Sequence, residues 1–362
     1  DEIRKVCPIA YLKIWDDYPA PRYNQAFYEA CDLLMGISKQ TVNINKLVLE
    51  GREKNKIFKY IPHGLDHKDF FPITKDHESY KEYLDFRNKT LFGGKEVNFV
   101  MFFNSRNIRR KQIPDTMMAF RLHLDSLELE EALKCRLVLH TELSTDHGTD
   151  LEAVKEYLFG EKYNRCVVFS TNKLDKKGLN YLYNLADVQT LCTSNEGWGL
   201  TLTEAMLSGT PIIANTTGGM QDQMRFVDDN DNWFTPDADI PSNHRGTFKK
   251  HGEWAFPVYP TNISIQGSPM TPYIYDDRAS FDDISARITE VYNLSKEERE
   301  ARGLKGREWC LSEEAGFYSA KQGERVIEAF DELFEKWKPR ADYELIDTSE
   351  VKGKYLNHKI TY

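Results

Sequence analysis

Nowhere in the 362 residues does an apolar run approach the roughly 18 that a membrane-spanning helix needs. Lysines and arginines are scattered, and 48 of them against 57 acids leave a formal net charge of −9. With no basic arm, bulk nucleic-acid binding is not expected. Cysteine is sparse, with six residues and no C-x-x-C pair. The runs holding Cys135, Cys166 and Cys192 read as buried strands, which implies reduced core thiols rather than disulfides or a metal cage. Two nucleotide fingerprints are also missing: no G-x-G-x-x-G follows a first strand, and no G-x-x-x-x-G-K-[ST] occurs. The opening DEIRKVCPIAY has no basic segment followed by a long apolar one, so no signal peptide is expected, and the expected location is cytoplasmic. The sequons at Asn88, Asn215, Asn262 and Asn293 are then chance matches.

What is present is a core-forming, 40% hydrophobic chain long enough for two domains. From about residue 95 it alternates short apolar runs with helical spacings: EVNFVMFF (96–103), IPDTMMAFRLHL, CRLVLHT (135–141), DLEAVKEYLF, CVVFS (166–170), KGLNYLYNLA, DVQTLCTS (187–194), LTLTEAMLS and PIIAN (211–215). Strands separated by helices of about ten residues imply βαβ units and a parallel, doubly wound sheet. Residues 1–75 read as the C-terminal part of another α/β domain plus a linker, and 76–320 as the main domain. Residues 321–362 are a final helix and tail; Ile327, Phe330, Leu333, Phe334 and Trp337 share a stripe of that helix. The stretch VDDNDNWFTPDADIPSNHRGTFKKHG reads as a long surface loop. EWAFPVYP (253–260) reads as core or lid.

The most informative stretch is TSNEGWGLTLTEAMLSGTPIIANTTGG, residues 193–219. A strand ends at Ser194, Gly197 and Gly199 flank Trp198, a helix starts near Leu200, and Gly209 stops it. Ligands of open α/β sheets sit outside the carboxyl ends of the strands. A helix N-terminus there offers free N–H groups and partial positive charge, which suits phosphate or pyrophosphate. Glu196 and Glu204, eight positions apart, frame the turn. Acids in an anion site make sense as acceptors for sugar or ribose hydroxyls.

The stretch resembles the signature of retaining GT-B glycosyltransferases, glycosyltransferase family 4, also called group 1: a glutamate, a glycine-aromatic-glycine turn, a second glutamate eight positions on, then alanine, methionine and G-T-P. IPHGLDHKDFFP (61–72) resembles the family's interdomain linker, and NSRNIRRKQIPDTMMAF (104–120) the first turn of its donor domain. The resemblance implies a GT-B fold of two Rossmann-like domains, the N-terminal one incomplete here, with the C-terminal helix of 321–362 crossing back to the first domain. It implies transfer of a hexose from a UDP- or GDP-linked sugar to an unknown hydroxyl acceptor, with retention and without a metal or other cofactor. By the same resemblance, Arg106 and Lys111 would hold the donor phosphates, with Arg110 as the alternative to either. Glu196 would hold the transferred sugar and Glu204 the ribose; backbone N–H groups of Gly197, Trp198, Gly199, Leu200 and Thr201 would hold sugar and phosphate; Asn172 to Leu174 would meet the base. Charge supports needing the cations, because a helix end supplies only about half a positive unit.

Other signals are weaker. The acid pairs Asp229/Asp231 and Asp237/Asp239 lie outside any strand-to-helix turn. His63 and His67 straddle a glycine, with no helix to align them. A rival reading is a catalytically silent or truncated nucleotide-sugar-binding protein, since a glycine-rich first turn and an active-site histidine of the N-terminal domain have no counterpart here. The sequence also begins with Asp rather than Met.

Overall fold

A computed structural model describes residues 3–90, 96–237 and 242–339. The tail beyond 339 and the acid at 239 lie outside the described residues. Three parallel strands form an N-terminal sheet: β1 (Ala10–Lys13), β2 (Leu33–Gly36) and β3 (Ile57–Tyr60), in that spatial order. The helix Lys39–Val48 covers this sheet, started by Ser38, whose hydroxyl accepts from Thr41 N–H at 3.0 Å. Gly51, with a positive φ of 78°, follows that helix as the sequence suggests.

Six further parallel strands form the main sheet: β4 (Phe99–Asn104), β5 (Cys135–His140), β6 (Val167–Ser170), β7 (Val188–Leu191), β8 (Ile212–Asn215) and β9 (Ala255–Val258). Their order is β6-β5-β4-β7-β8-β9, so the winding reverses between β4 and β7. That is the doubly wound arrangement the alternating pattern predicts, and its ligand crevice belongs at the reversal. Every residue of β7, β8 and β9 is buried, as expected of parallel strands covered on both faces. β9 is the AFPV at the centre of EWAFPVYP, so the middle of that run is core.

Two segments and the buried face of the final helix depart from the sequence reading. The segment after residue 228 is not simply surface: Phe234, Ser242, Asn243 and His244 are buried, and Val227 bridges to Trp233 and Lys250. An unanticipated antiparallel hairpin follows, β10 (Asn262–Ser268) and β11 (Thr271–Arg278). The final helix, Ser319–Lys336, packs on the N-terminal sheet through Ala329 and Leu333 against Leu33, Met35, Ile57 and Ile61. Val326, Phe330 and Trp337 flank that contact, whereas Ile327 and Phe334 are 63% and 65% exposed. The buried stripe is therefore rotated from the all-apolar one, because small Ala329 lets the helix approach the sheet while larger residues beside it stay in solvent.

The two sheets also meet elsewhere. The backbone N–H of Lys39 donates to Asp222 at 2.9 Å, and its ammonium donates to Phe234 O at 3.0 Å while lying 3.5 Å from the Trp233 ring centre. Gln221 donates to Gln40 at 3.2 Å. Among the described residues no helix is long and apolar enough to cross a membrane.

Leu333→Ala is expected to cost about 2–5 kcal/mol by leaving a cavity. Phe334→Ala is expected to fall within about 0.5 kcal/mol of the native value. Urea unfolding monitored by tryptophan fluorescence separates the two, and equal losses would contradict the observed helix face.

Candidate functional site

The reversal between β4 and β7 places two loops side by side. After β4 the chain makes a short 3-10 turn, Arg109–Lys111, and Gln112 in left-handed geometry (φ 51°) sends it into the helix Ile113–Asp125. After β7, residues 192–199 lead to the helix Leu200–Leu207. The loops are stitched together: Ser194 N–H and the Thr193 hydroxyl both donate to Arg110 O, at 2.9 and 2.8 Å.

Glu196 lies at this seam. Lys111 Nζ bonds its carboxylate, and Arg110 Nη1 donates to the same oxygen at 3.1 Å and to Asn195 O at 2.6 Å. Burial drives a carboxyl's pKa upward, but Lys111 and then Arg110 outweigh it and hold Glu196 below its ordinary value. Lys111 is pushed below its own ordinary value by burial, with Glu196 opposing. The cations brought to Glu196 are thus Lys111 and Arg110. Arg106 does not join them. It is exposed and lines a cleft of about 290 Å³ at the carboxyl ends of β4, β5 and β6. The pairing register sets Asn104, His140 and Ser170 in a row along that cleft. His140 Nδ1 is 3.0 Å from Ser170 Oγ, and Asn172 is another lining residue. Leu174 is instead partly buried against the main core.

The glycine-aromatic-glycine turn is built by its neighbours. Trp198 is buried, donates to Thr203 at 3.0 Å and meets the Phe317 ring edge-on at 4.8 Å. Gly199 occupies φ 89° at the N-cap, a conformation that side chains resist. Gly218 approaches Glu196 so closely that a Cβ there would lie 1.9 Å from the Glu196 carbonyl oxygen. Leu200 is exposed, and the Thr201 hydroxyl is buried without a hydrogen-bond partner, an orphaned donor one position inside the helix. One turn further, Glu204 accepts from Tyr183 OH, which itself accepts from Asn104 Nδ2 at 2.9 Å. Burial raises the Glu204 carboxyl from 4.5 to about 7, with the Tyr183 bond opposing.

The N-terminal unit also reaches the site, which sequence reasoning missed. A methyl group on Gly197 would lie 3.3 Å from Ile14 O and 3.7 Å from Asp16 Cβ. Asp16 is raised by burial, with Arg110 opposing and Glu196 reinforcing. Asp17 beside it is raised well above the usual carboxyl range by burial and by Asp16. The available signal was the position of Trp15-Asp16-Asp17, directly after a parallel strand. Among the described residues, no group of three or more His, Cys, Asp or Glu is placed to hold a metal. Asp228, next to Asp229, instead accepts from Asn230 and Asn232 of its own turn, at 2.8 and 2.9 Å.

Comparison with known proteins places this geometry. Residues 147–239, which include both glutamates and the turn between them, match the family described as "Glycosyl transferases group 1". This segment is similar to group 1 glycosyltransferases. The chain around it has the GT-B fold. It is similar to sucrose-phosphate synthase from Thermosynechococcus elongatus, at TM-score 0.56 and 20% identity, covering 86% of this chain and 61% of that one. It is similar to trehalose 6-phosphate synthase from Burkholderia multivorans, at TM-score 0.60 and 12% identity over 91% and 67%. A third similar structure is HepE of Anabaena in complex with UDP-glucose, at 0.55 and 15% over 91% and 71%. In sequence it is 24% identical over 198 residues to mannosylfructose-phosphate synthase of Agrobacterium fabrum, covering 53% of this chain and 39% of that protein. The chain thus spans under two thirds of the length of the sucrose-phosphate synthase and about two fifths of the mannosylfructose-phosphate synthase it matches.

The Glu204 shift has a sign that can be checked. Its folded pKa is raised, so between 4.5 and about 7 the folded chain holds a proton that the unfolded chain has released. The cost of the buried charge is absent below 4.5 and fully present above about 7. Glu204→Gln is expected to raise the melting temperature at pH 8 and to change it little at pH 4.5, in calorimetric scans of both proteins.

Proposed function

We propose that this chain transfers a hexose, with retention of anomeric configuration and without a metal ion, from a nucleotide diphosphate sugar to a hydroxyl acceptor. The observation that carries the reading is the Glu196–Lys111–Arg110 cluster at the reversal point, one turn ahead of a helix N-terminus whose Thr201 hydroxyl is unpartnered. A diphosphate carries about two negative charges, and a helix end about half a positive one, so two nearby cations complete the balance. Lys111 and Arg110 are the cations this geometry offers, in place of the Arg106–Lys111 pair suggested by the sequence.

In this reading Glu204 accepts from the ribose hydroxyls and Glu196 from those of the sugar. The N–H groups from Gly197 to Thr201 meet sugar and phosphate. The cleft bearing Arg106, His140 and Asn172 takes the base. Reaction breaks the bond from anomeric carbon to diphosphate and forms one from that carbon to the acceptor oxygen on the same face. The acceptor proton passes to the departing diphosphate, whose growing charge Lys111 and Arg110 stabilise. The acceptor enters between the main sheet and the N-terminal unit, where Asp16 faces the Gly197 turn. A relative solved with UDP-glucose makes the uridine donor the first to test, with the guanosine donor beside it.

The test is calorimetric titration with UDP-glucose and GDP-mannose, followed by donor hydrolysis and assignment of the product anomer. A charge-assisted bond is worth about 1.5–3 kcal/mol, so Lys111→Ala or Arg110→Ala should weaken donor binding roughly tenfold to a hundredfold. Glu204→Ala should weaken sugar nucleotide and parent nucleotide alike. Native affinity in all three variants would refute the site. Donor binding with no turnover towards any acceptor would favour a silent binding protein.

A further inference from the structure

We propose that the β10–β11 hairpin positions the Glu196 turn, and that Asp276 is the residue through which it acts. The inference rests on the donor-site reading above. Residues 192–199 belong to no helix or strand, so something outside them must set their path. One side is held by Arg110 O. The other side is held by β11. Asp276 Oδ1 accepts from Ser194 Oγ at 3.1 Å and from Asn195 Nδ2 at 2.9 Å, and Asp277 N–H donates to Ser194 O at 3.0 Å. Asn195 O then accepts from Arg110, which also bonds Glu196. A continuous hydrogen-bonded path therefore runs from the hairpin to the carboxylate assigned to the transferred sugar.

The hairpin has little else to do. An isolated two-stranded ribbon is marginal in water, and in this one β10 is mostly exposed and β11 mostly half-buried, with Ile265 and Met270 in solvent. The main sheet forms all its ladders without it. What anchors it is polar. Asp277 is fully buried and accepts from Ser242 and Asn243 at 2.8 and 3.0 Å and from Thr217 at 2.6 Å, so it ties the base of the hairpin to the loop after β8. On its other face the hairpin reaches the N-terminal unit: Tyr275 N–H donates to Tyr18 O at 2.7 Å, and Tyr273 meets Tyr23 edge-on at 5.2 Å. The element is a strap that touches the donor turn and the N-terminal unit together, so it couples the position of one to the other. Asp276 is a positioning residue, since it bonds Ser194 and Asn195 and acts on the sugar through them.

The experiment compares native protein, Asp276→Ala, Asp276→Asn and Asn195→Ala by titration with UDP-glucose, GDP-mannose, UDP and GDP. The expected result is a loss of at least tenfold for the bound sugar nucleotide in Asp276→Ala, with less than a threefold change for its parent diphosphate. Asp276→Asn keeps an oxygen acceptor at Oδ1 and is expected to restore sugar-nucleotide affinity to within threefold. Asn195→Ala removes one end of the path and is expected to behave like Asp276→Ala; it carries the test if that variant does not fold. Equal losses for sugar nucleotide and diphosphate, or no loss in either, would overturn the hairpin's role while leaving the donor site intact. Absence of binding in the native protein would overturn the donor-site reading itself, and the hairpin's role with it.

Discussion

A carboxylate taken out of water stays ionised only where cations are held against it, and the arrangement of this site follows from that constraint at Glu196. Burial alone would protonate it; Lys111 and Arg110 prevent this. Holding both cations there requires the turn after β4 to lie beside the turn after β7, which requires those strands to be neighbours although two other strands intervene in sequence. The reversal of winding is thus the condition for the charge balance. The interlocking bonds from Thr193 and Ser194 to Arg110 O keep the two turns in register.

The two glutamates of the signature live in opposite environments. Glu196 has cations and is held charged. Glu204 has a phenol donor and no cation bonded to it among the described residues, so burial wins and its pKa lies near neutrality. Two carboxylates eight positions apart therefore differ in protonation for reasons that lie in their neighbours. That division, one acid paired with two cations and the other with a phenol, is the one the proposed function uses.

Much of the framework was legible because it is periodic. Parallel strands covered on both faces show as continuous apolar runs, and β4 through β8 stand where such runs stand, apart from boundaries, whereas β9 lies beyond a long insertion in a run read only as core or lid. The turn at 197–199 was legible because its glycines answer local demands that few other residues meet. Features built from contacts distant in sequence were less legible. The helix Ser319–Lys336 has an unbroken apolar stripe, and nothing in its own sequence says that Ala329 rather than Ile327 faces the sheet. The hairpin was hidden because its strands are exposed or half-buried apart from Asp277 and carry no strong alternation, and its fold is held by that buried Asp277, a residue type that composition places at the surface.

By itself the sequence determined the class of fold, the location of the glycine-aromatic-glycine turn and the pair of glutamates framing it, since each depends on residues within one or two turns of each other. Tertiary structure alone decided which cations serve that turn. Arg106, Arg110 and Lys111 lie within six positions, and all three are cations after the same strand. The short 3-10 turn rotates Arg110 and Lys111 toward Glu196 and leaves Arg106 on the neighbouring cleft. Tertiary structure likewise brought Asp16 and Asp276 to the same place from positions 260 residues apart. Charge type and order are written along the chain, but distance and direction are set by packing, and Coulombic and hydrogen-bond energies depend on distance and direction.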